Sequence, residues 1–107
     1  MLPKKNRVNT KEVAKIFKEG KFLVSPSLIF KYFKNHNKEV KISFIAPKNI
    51  AKLAVTRNLL RRRGYSVLRK YQDQFPTGLA GVFIFKKYQD DISILENEIK
   101  NILTKIN

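Results

Sequence analysis

The chain has 107 residues, enough for one domain with a modest core, and its 43% hydrophobic content is typical of a folded protein. The absence of cysteine excludes a disulfide framework and a cysteine zinc site, and the single histidine, His36, excludes a histidine metal site. Lysine and arginine number 23 against eight acidic residues, so the net charge is +15, and a polyanion such as nucleic acid is the expected partner.

The positive charge is concentrated in the first five sixths of the chain. Residues 90–107 contain four acidic residues and two lysines, which leaves 21 basic and four acidic residues in 1–89, a net charge of +17. A basic solvated surface without a specific partner is the alternative interpretation, but a charge of this size has a cost in self-repulsion.

Nothing in the sequence predicts a membrane segment or a secretion signal. No apolar run approaches the ~20 residues that span a bilayer. Residues 1–10 carry charge but lack the apolar core of a signal peptide. We therefore expect a cytoplasmic protein with no membrane partner.

The first half of the chain predicts one helix followed by strands. Residues 10–19 have apolar side chains at helical spacing and are followed by a glycine. Residues 27–34 are rich in β-branched and aromatic residues, and 39–46 alternate between apolar and polar residues. With the polar turn at 35–38 between them, these two runs predict an antiparallel hairpin, and residues 21–25 are a candidate for an extra strand.

The second half predicts a long helix, a strand and a final helix. Pro47 ends the preceding strand, and the helical pattern of residues 51–72 continues through Gly64, although glycine costs about 1 kcal/mol there relative to alanine. Residues 79–85 predict a covered strand, and 90–106 predict an amphipathic helix. The predicted fold is a single-domain α+β sandwich in the order α-β-β-α-β-α, with helices packed on one sheet.

The long helix separates into two faces when its residues are placed at about 100° each. The face predicted to be buried contains Leu53, Leu60, Gly64, Val67, Leu68 and Tyr71. The adjacent exposed face contains Asn58, Arg61, Arg62, Tyr65 and Arg69, with Arg57 at its edge. From Lys48 to Lys70 there is no acidic residue, whereas an ordinary solvated helix face usually interleaves Glu or Asp with its cations.

The chemistry of this face suits RNA. The guanidinium of arginine can pair bidentately with phosphate and stack on bases, and an asparagine amide can contact a 2′-hydroxyl or a base edge. Arginines four residues apart project about 5–6 Å from each other along the helix. Because arginine is also a good helix former, a solvated face without a ligand is the alternative interpretation.

Residues 57–62, Arg-Asn-Leu-Leu-Arg-Arg, preceded by Ala54-Val55, resemble the signature of the bacterial ribonuclease P protein component. Residues 2–8 (Leu-Pro-Lys-Lys-Asn-Arg-Val) and 13–21 (Val-Ala-Lys-Ile-Phe-Lys-Glu-Gly-Lys) resemble the N-terminus and the first helix of that family. The resemblance covers nearly the whole chain. It implies a ribosomal-protein-like fold in which the arginine-rich helix is a left-handed β-α-β crossover, against the general rule.

The resemblance also implies a function. The family's protein is a subunit of an endoribonuclease that removes the 5′ leader of precursor tRNA. The RNA subunit carries the catalysis and holds the Mg²⁺ ions, and the protein binds that RNA and the leader. We therefore expect ribonuclease P RNA and precursor tRNA as partners, no obligate protein partner, and neither a catalytic residue nor a bound metal in the protein.

The site residues follow from the same resemblance. The residues expected to bind the catalytic RNA are Lys48, Lys52, Arg57, Asn58, Arg61, Arg62, Tyr65 and Arg69. The leader-binding cleft is expected to contain Phe17 and Lys31. The chain departs from the family pattern at Val13, where a second phenylalanine is usual, at Tyr65, where an arginine is usual, and at Asn49, where a lysine is common.

Several alternatives stay open on sequence alone. Phe17 could complete the core beside Ile16 or stack on a leader base. A general RNA-binding module would share the charge and the fold. A DNA-binding protein would need a dimer interface and base-reading residues that are not evident. A stand-alone nuclease would need clustered carboxylates, and the acids here are scattered or lie in the last helix.

Overall fold

The structure, a computed structural model, describes residues 10–34 and 39–106. The predicted turn at 35–38 with His36, and the N-terminal segment that carries part of the family resemblance, lie outside the described residues. The helices are α1 (Thr10–Glu19), α2 (Ala54–Tyr71) and α3 (Ile92–Ile106), and a 3₁₀ turn (Gln72–Gln74) follows α2. The strands are β1 (Lys21–Val24), β2 (Leu28–Lys34), β3 (Lys41–Ile45) and β4 (Leu79–Phe85). This is the predicted element order with the extra strand present.

These strands form one mixed sheet in the order β1-β2-β4-β3. The predicted hairpin between the strands at 27–34 and 39–46 is wrong, because β4 lies between β2 and β3. β4 pairs antiparallel with β2 and parallel with β3. The pattern of each run was sufficient to predict the strands themselves, but the pairing depends on a segment more than 30 residues away. The parallel pair makes β3, α2 and β4 a β-α-β crossover unit.

One face of the sheet packs against α2 and α3 and contains most of the core. The register aligns Phe30 of β2, Phe83 of β4 and Phe44 of β3 across the sheet. Their rings stack in a row, with centroids 4.3 Å apart for the first pair and 4.9 Å for the second. All three side chains are buried, and the stacked row fixes the surface on which the helices pack.

The opposite face of the sheet packs against α1, which is the only helix there among the described residues. Ile16 is fully buried on this face against Ala80 and Val82 of β4, and Val13 packs beside them. The ammonium of Lys41 in β3 lies 3.4 Å from a carboxylate oxygen of Glu12 in α1. One short helix cannot cover four strands, so α1 leaves part of this face open.

Helix α2 begins three residues later than predicted, and this changes the position of one apolar residue. Pro47 ends the strand region as predicted, and its carbonyl accepts hydrogen bonds from the amides of Ile50 and Ala51 in the following turn. Leu53 precedes the first helical residue and is 66% exposed, so its predicted burial is wrong. The other predicted inward residues lie on the packed side of α2, and Leu60, Gly64, Val67 and Leu68 are buried.

The glycine inside α2 has a packing reason. A Cβ atom added to Gly64 would lie 2.5 Å from the ring of Phe44, well inside van der Waals contact. The helix therefore accepts the lower helix propensity of glycine because α2 passes closely over the ring.

Helix α3 is joined to the sheet by a buried carboxylate. Asp91 precedes the helix, and its side chain accepts a hydrogen bond from the amide of Ile94 in the first turn. Further along, Glu98 is only 5% exposed, and its Oε1 accepts hydrogen bonds from Ser25 Oγ at 2.5 Å and from the amide of Ser27 at 2.7 Å. The turn between β1 and β2 is thereby held against α3.

Candidate nucleic-acid interface

The outward side of α2 forms an open cavity lined by the central residues of the predicted RNA face. Asn58, Arg61, Arg62 and Tyr65, together with Val55, surround a volume of about 360 Å³. Arg61 donates a hydrogen bond from Nη2 to Oδ1 of Asn58, one helical turn away. This bond orients the amide and the guanidinium relative to each other, so that two groups that can bind phosphate or ribose share one concave surface.

Arg62 lies between this cavity and a second, smaller one. The second cavity, of about 280 Å³, is also lined by Arg63, Ser66 and residues from α2 and the start of α3. Arg62 is exposed, and a guanidinium can donate five hydrogen bonds. It is therefore the residue of this face that can reach ligands on either side of the helix.

Arg57 has a structural role that the sequence did not predict. Its Nη1 donates to the backbone carbonyls of Ala51 at 3.0 Å and of Lys52 at 2.8 Å. These bonds hold the segment that leads into α2. The Nε and Nη2 hydrogens of the guanidinium take no part in these two bonds. Arg57 thus positions Lys52, another residue of the predicted RNA-binding set.

Tyr65 is placed differently from the prediction. Its side chain is 4% exposed and packs edge-on against the Phe44 ring, with centroids 5.1 Å apart. Its hydroxyl accepts a hydrogen bond of 3.1 Å from the amide of Phe44 in β3. The predicted exposure of Tyr65 is wrong: the residue forms the floor of the cavity below Asn58 and Arg62, and most of its ring belongs to the core.

The remaining predicted RNA-binding residues are exposed but lie outside the cavity. Lys48 and Lys52 precede α2, and Arg69 lies near its end. The next residue, Lys70, differs from them, because its ammonium lies 3.9 Å from a carboxylate oxygen of Glu96 in α3. The structure therefore brings together a central group around the cavity and places further cations at each end of it.

The predicted cleft residues meet on the other face of the sheet. The ammonium of Lys31 in β2 lies 4.6 Å from the centre of the Phe17 ring of α1, within the range of a cation–π contact. Phe17 is 46% exposed, so it does not simply complete the core beside Ile16. The ring faces the part of the sheet that α1 leaves open, and the ammonium adds a positive charge to it.

Two contributors to these surfaces were missed. Val55 is 67% exposed and lines the α2 cavity, although its sequence position marks it only as a flank of the signature. Arg63 lines the smaller cavity, and its charge lies close enough to Tyr88 to oppose the effect of Asp90, whose hydrogen bond raises the pKa of Tyr88. The absence of acidic residues around both positions indicates a basic surface in the sequence. It does not show where on that surface a cavity lies.

The arrangement of the acidic side chains bears on metal binding. Within residues 10–34 and 39–106, no three His, Cys, Asp or Glu side chains lie close enough together to hold a metal ion.

In the same two ranges, no helix combines the length and the apolar character needed to cross a membrane.

Comparison with known proteins identifies the family. The family model described as Ribonuclease P matches residues 2–107. The chain is 31% identical over 113 residues to the ribonuclease P protein component of Pseudanabaena sp. (strain PCC 6903), covering 98% of this chain and 94% of the relative. It is 37% identical over 75 residues to that of Syntrophomonas wolfei, covering 69% of this chain and 62% of the relative.

Solved structures confirm the predicted fold. The ribonuclease P protein of Thermotoga maritima superposes with a TM-score of 0.83 at 23% identity, over 94% of this chain and 97% of that one. The Staphylococcus aureus protein gives a TM-score of 0.81 at 14% identity, over 95% and 98%. With the family model spanning nearly the whole sequence, these findings show that the chain belongs to the ribonuclease P protein component family, a subunit of an endoribonuclease.

Proposed function

We propose that the chain binds the RNA subunit of ribonuclease P through the outward face of α2 and the 5′ leader of precursor tRNA through the cleft beside α1. In this proposal it assists endonucleolytic removal of the leader in the cytoplasm, which gives the mature 5′ end of the tRNA.

The observation that carries the RNA-subunit contact is the cavity around Asn58, Arg61 and Arg62. It presents guanidiniums and an amide on a rigid helix, within a stretch from Lys48 to Lys70 that contains no acidic residue. A concave surface whose charged side chains are both arginines favours phosphates of a folded RNA over a hydrophobic protein segment, because arginine forks match phosphate oxygens bidentately.

The leader contact is supported by a second surface that is separate from the first. Phe17 and Lys31 lie on the face of the sheet that packs against α1, whereas α2 packs on the other face. A half-exposed aromatic ring beside a cation is a combination that binds single-stranded nucleic acid by stacking and charge. Two surfaces on opposite sides of one sheet allow one protein to hold two RNA molecules at once.

The chemistry of cleavage is assigned to the RNA subunit. At least five of the eight acidic residues accept hydrogen bonds within the protein, namely Glu12, Asp90, Asp91, Glu96 and Glu98. The catalytic Mg²⁺ ions are expected on RNA phosphates. The role of the protein is then to raise the affinity for substrate and metal by supplying positive charge near the RNA.

The test is precursor-tRNA cleavage by a bacterial ribonuclease P RNA at low Mg²⁺ concentration, with and without the protein. We expect 5′ leader removal to be restored by the protein and to require the RNA. If the protein binds the RNA but does not activate cleavage, and the same result is obtained with the cognate RNA, the proposal is contradicted. A general RNA-binding module would then be favoured.

A matched pair of variants connects activation to the α2 face. Arg61→Ala and Lys105→Ala each remove one positive charge from an exposed helical position, but the second lies at the end of α3. We expect weaker activation for the first and unchanged activation for the second. Equal decreases would indicate that net charge, and not this face, is responsible.

A further inference from the structure

An exposed apolar strip lies at the edge of the sheet, on the face that packs against α1. Three of the large hydrophobic side chains that are strongly exposed lie together there: Phe22 at 64%, Val24 at 47% and Phe17 at 46%. Phe22 and Val24 belong to β1, which lies at one edge of the described sheet and pairs there with β2. Exposed aromatic residues grouped on one surface mark a binding site more often than isolated ones do.

The register of the sheet connects Phe22 to the cleft. Phe22 is directly opposite Lys31 in the antiparallel pair, and Val24 is opposite Ile29. Side chains of directly opposite residues point to the same face with Cβ atoms about 5 Å apart. Lys31 therefore connects the two rings: its ammonium lies over the Phe17 ring of α1, and Phe22 of β1 is its cross-strand neighbour.

We propose that Phe22 is a second stacking platform for the single-stranded 5′ leader, so that the leader crosses from Phe17 over Lys31 onto β1. The inference rests on the proposed function, which places the leader in this cleft. A base stacks on the exposed Phe22 ring, and Lys31 pairs with the phosphates on either side of that base.

Charge complementarity selects RNA as the occupant. The elements that carry the strip, α1, β1 and β2, contain six lysines and two acidic residues, and one of the two, Glu12, contacts Lys41. A hydrophobic protein segment would gain nothing from this excess of positive charge, whereas each nucleotide of a single strand brings an aromatic face and a phosphate.

Phe22 is available for this role because its ring is not part of the packed core. The side chain is almost two thirds exposed and lies outside the buried clusters on both faces of the sheet. The position of β1 is set by its pairing with β2 and by the hydrogen bonds that Ser25 and Ser27 donate to Glu98. Removing the ring should leave the strand in place.

The experiment measures binding of precursor tRNA to the reconstituted holoenzyme, with a long leader and with a one-nucleotide leader. We expect Phe22→Ala to weaken binding of the long-leader substrate about five- to tenfold, at the lower end of what one stacked base contributes. The short-leader substrate and binding of the RNA subunit should be unaffected, and Phe22→Tyr should restore wild-type affinity. Tyr88→Ala, which removes another half-exposed aromatic ring, is the matched control.

The outcomes separate this inference from the proposed function. If Phe17→Ala weakens long-leader binding and Phe22→Ala does not, the leader is in the cleft and the role of Phe22 is overturned. If neither variant affects long-leader binding, the leader site itself is wrong. Equal decreases on both substrates would also overturn the role of Phe22, and thermal unfolding of each variant shows whether such a decrease comes from a destabilised fold.

Discussion

On the side of the sheet that faces α2 and α3, the rings of Phe30, Phe44 and Phe83 are almost completely closed off from solvent, whereas Phe17 and Phe22 on the α1 side are 46% and 64% exposed. The residue type is the same, and the difference is how much helix covers each face. In the described part of the chain, two helices cover the first face and one short helix covers the second. Phenylalanine therefore contributes stability on the closed face and is available for binding on the open face.

The largest expected effect is on the closed face. Phe83→Ala removes the central ring of the stacked row and should lower the free energy of unfolding by about 3–5 kcal/mol. Phe17→Ala on the open face should lower it by less than about 1 kcal/mol, because the ring is already half hydrated. Urea unfolding of the two variants measures the difference, and similar decreases would mean that the open face is also part of the core.

A smaller effect is expected where α2 presses on the closed face. In most helices Gly→Ala is stabilising, but Gly64→Ala would place a Cβ atom 2.5 Å from the Phe44 ring. We expect the free energy of unfolding to fall by about 1–3 kcal/mol from this overpacking, measured by urea unfolding. Combining it with Phe44→Leu should recover part of this stability, and a stabilised single variant would show that the ring can move away at no cost.

Tyr65→Phe examines the boundary between the closed face and the RNA-binding face. The change leaves the buried amide of Phe44 without its acceptor, which should cost about 1–2 kcal/mol in unfolding free energy. RNA binding and its salt dependence should be unaffected, as measured by titration at several salt concentrations. A clear decrease in RNA affinity in a folded variant would instead restore the phenol to the RNA-binding role predicted from the sequence.

The smallest effect on stability is expected for Arg62→Ala, one turn from Tyr65 but directed outward. The free energy of unfolding should change by no more than about 0.5 kcal/mol. The slope of log affinity for the RNA subunit against log salt should decrease by about one unit for each phosphate that the variant no longer binds. Lys105→Ala is the control, and an identical slope in the wild-type protein and both variants would remove Arg62 from the interface.

Local patterns predicted the elements well, and the errors occurred where a distant segment decides. The helix was correctly predicted to continue through Gly64, because the apolar spacing continues beyond it. The sequence does not show why the residue is glycine, which is that the Phe44 ring of β3 leaves no room for a Cβ atom. The pattern also predicted two strands before α2 and paired them with each other, because nothing in either run indicates that β4 inserts between them.

In the candidate site, too, local spacing was predictable from the sequence and contacts with distant segments were not. The cavity around Asn58, Arg61 and Arg62 was predictable, because their spacing along one helix fixes a common side. Helical spacing places Tyr65 on that same side, but its burial is accompanied by a hydrogen bond from a backbone amide of β3, which the local sequence of α2 does not indicate. Phe22 was not predicted as a binding residue because an aromatic residue in a short apolar run looks like core, and the sheet register is what places it on the open face.

The hydrogen bonds from Ser25 and Ser27 to Glu98 have a consequence for the order of folding. The amide of Ser27 and the carboxylate of Glu98 are 71 positions apart in the chain, so this contact closes a long loop and forms only after α3 has been synthesised. The turn that leads out of β1 therefore leaves the ribosome well before the helix that anchors it. The edge of the cleft is completed only when α3 has formed.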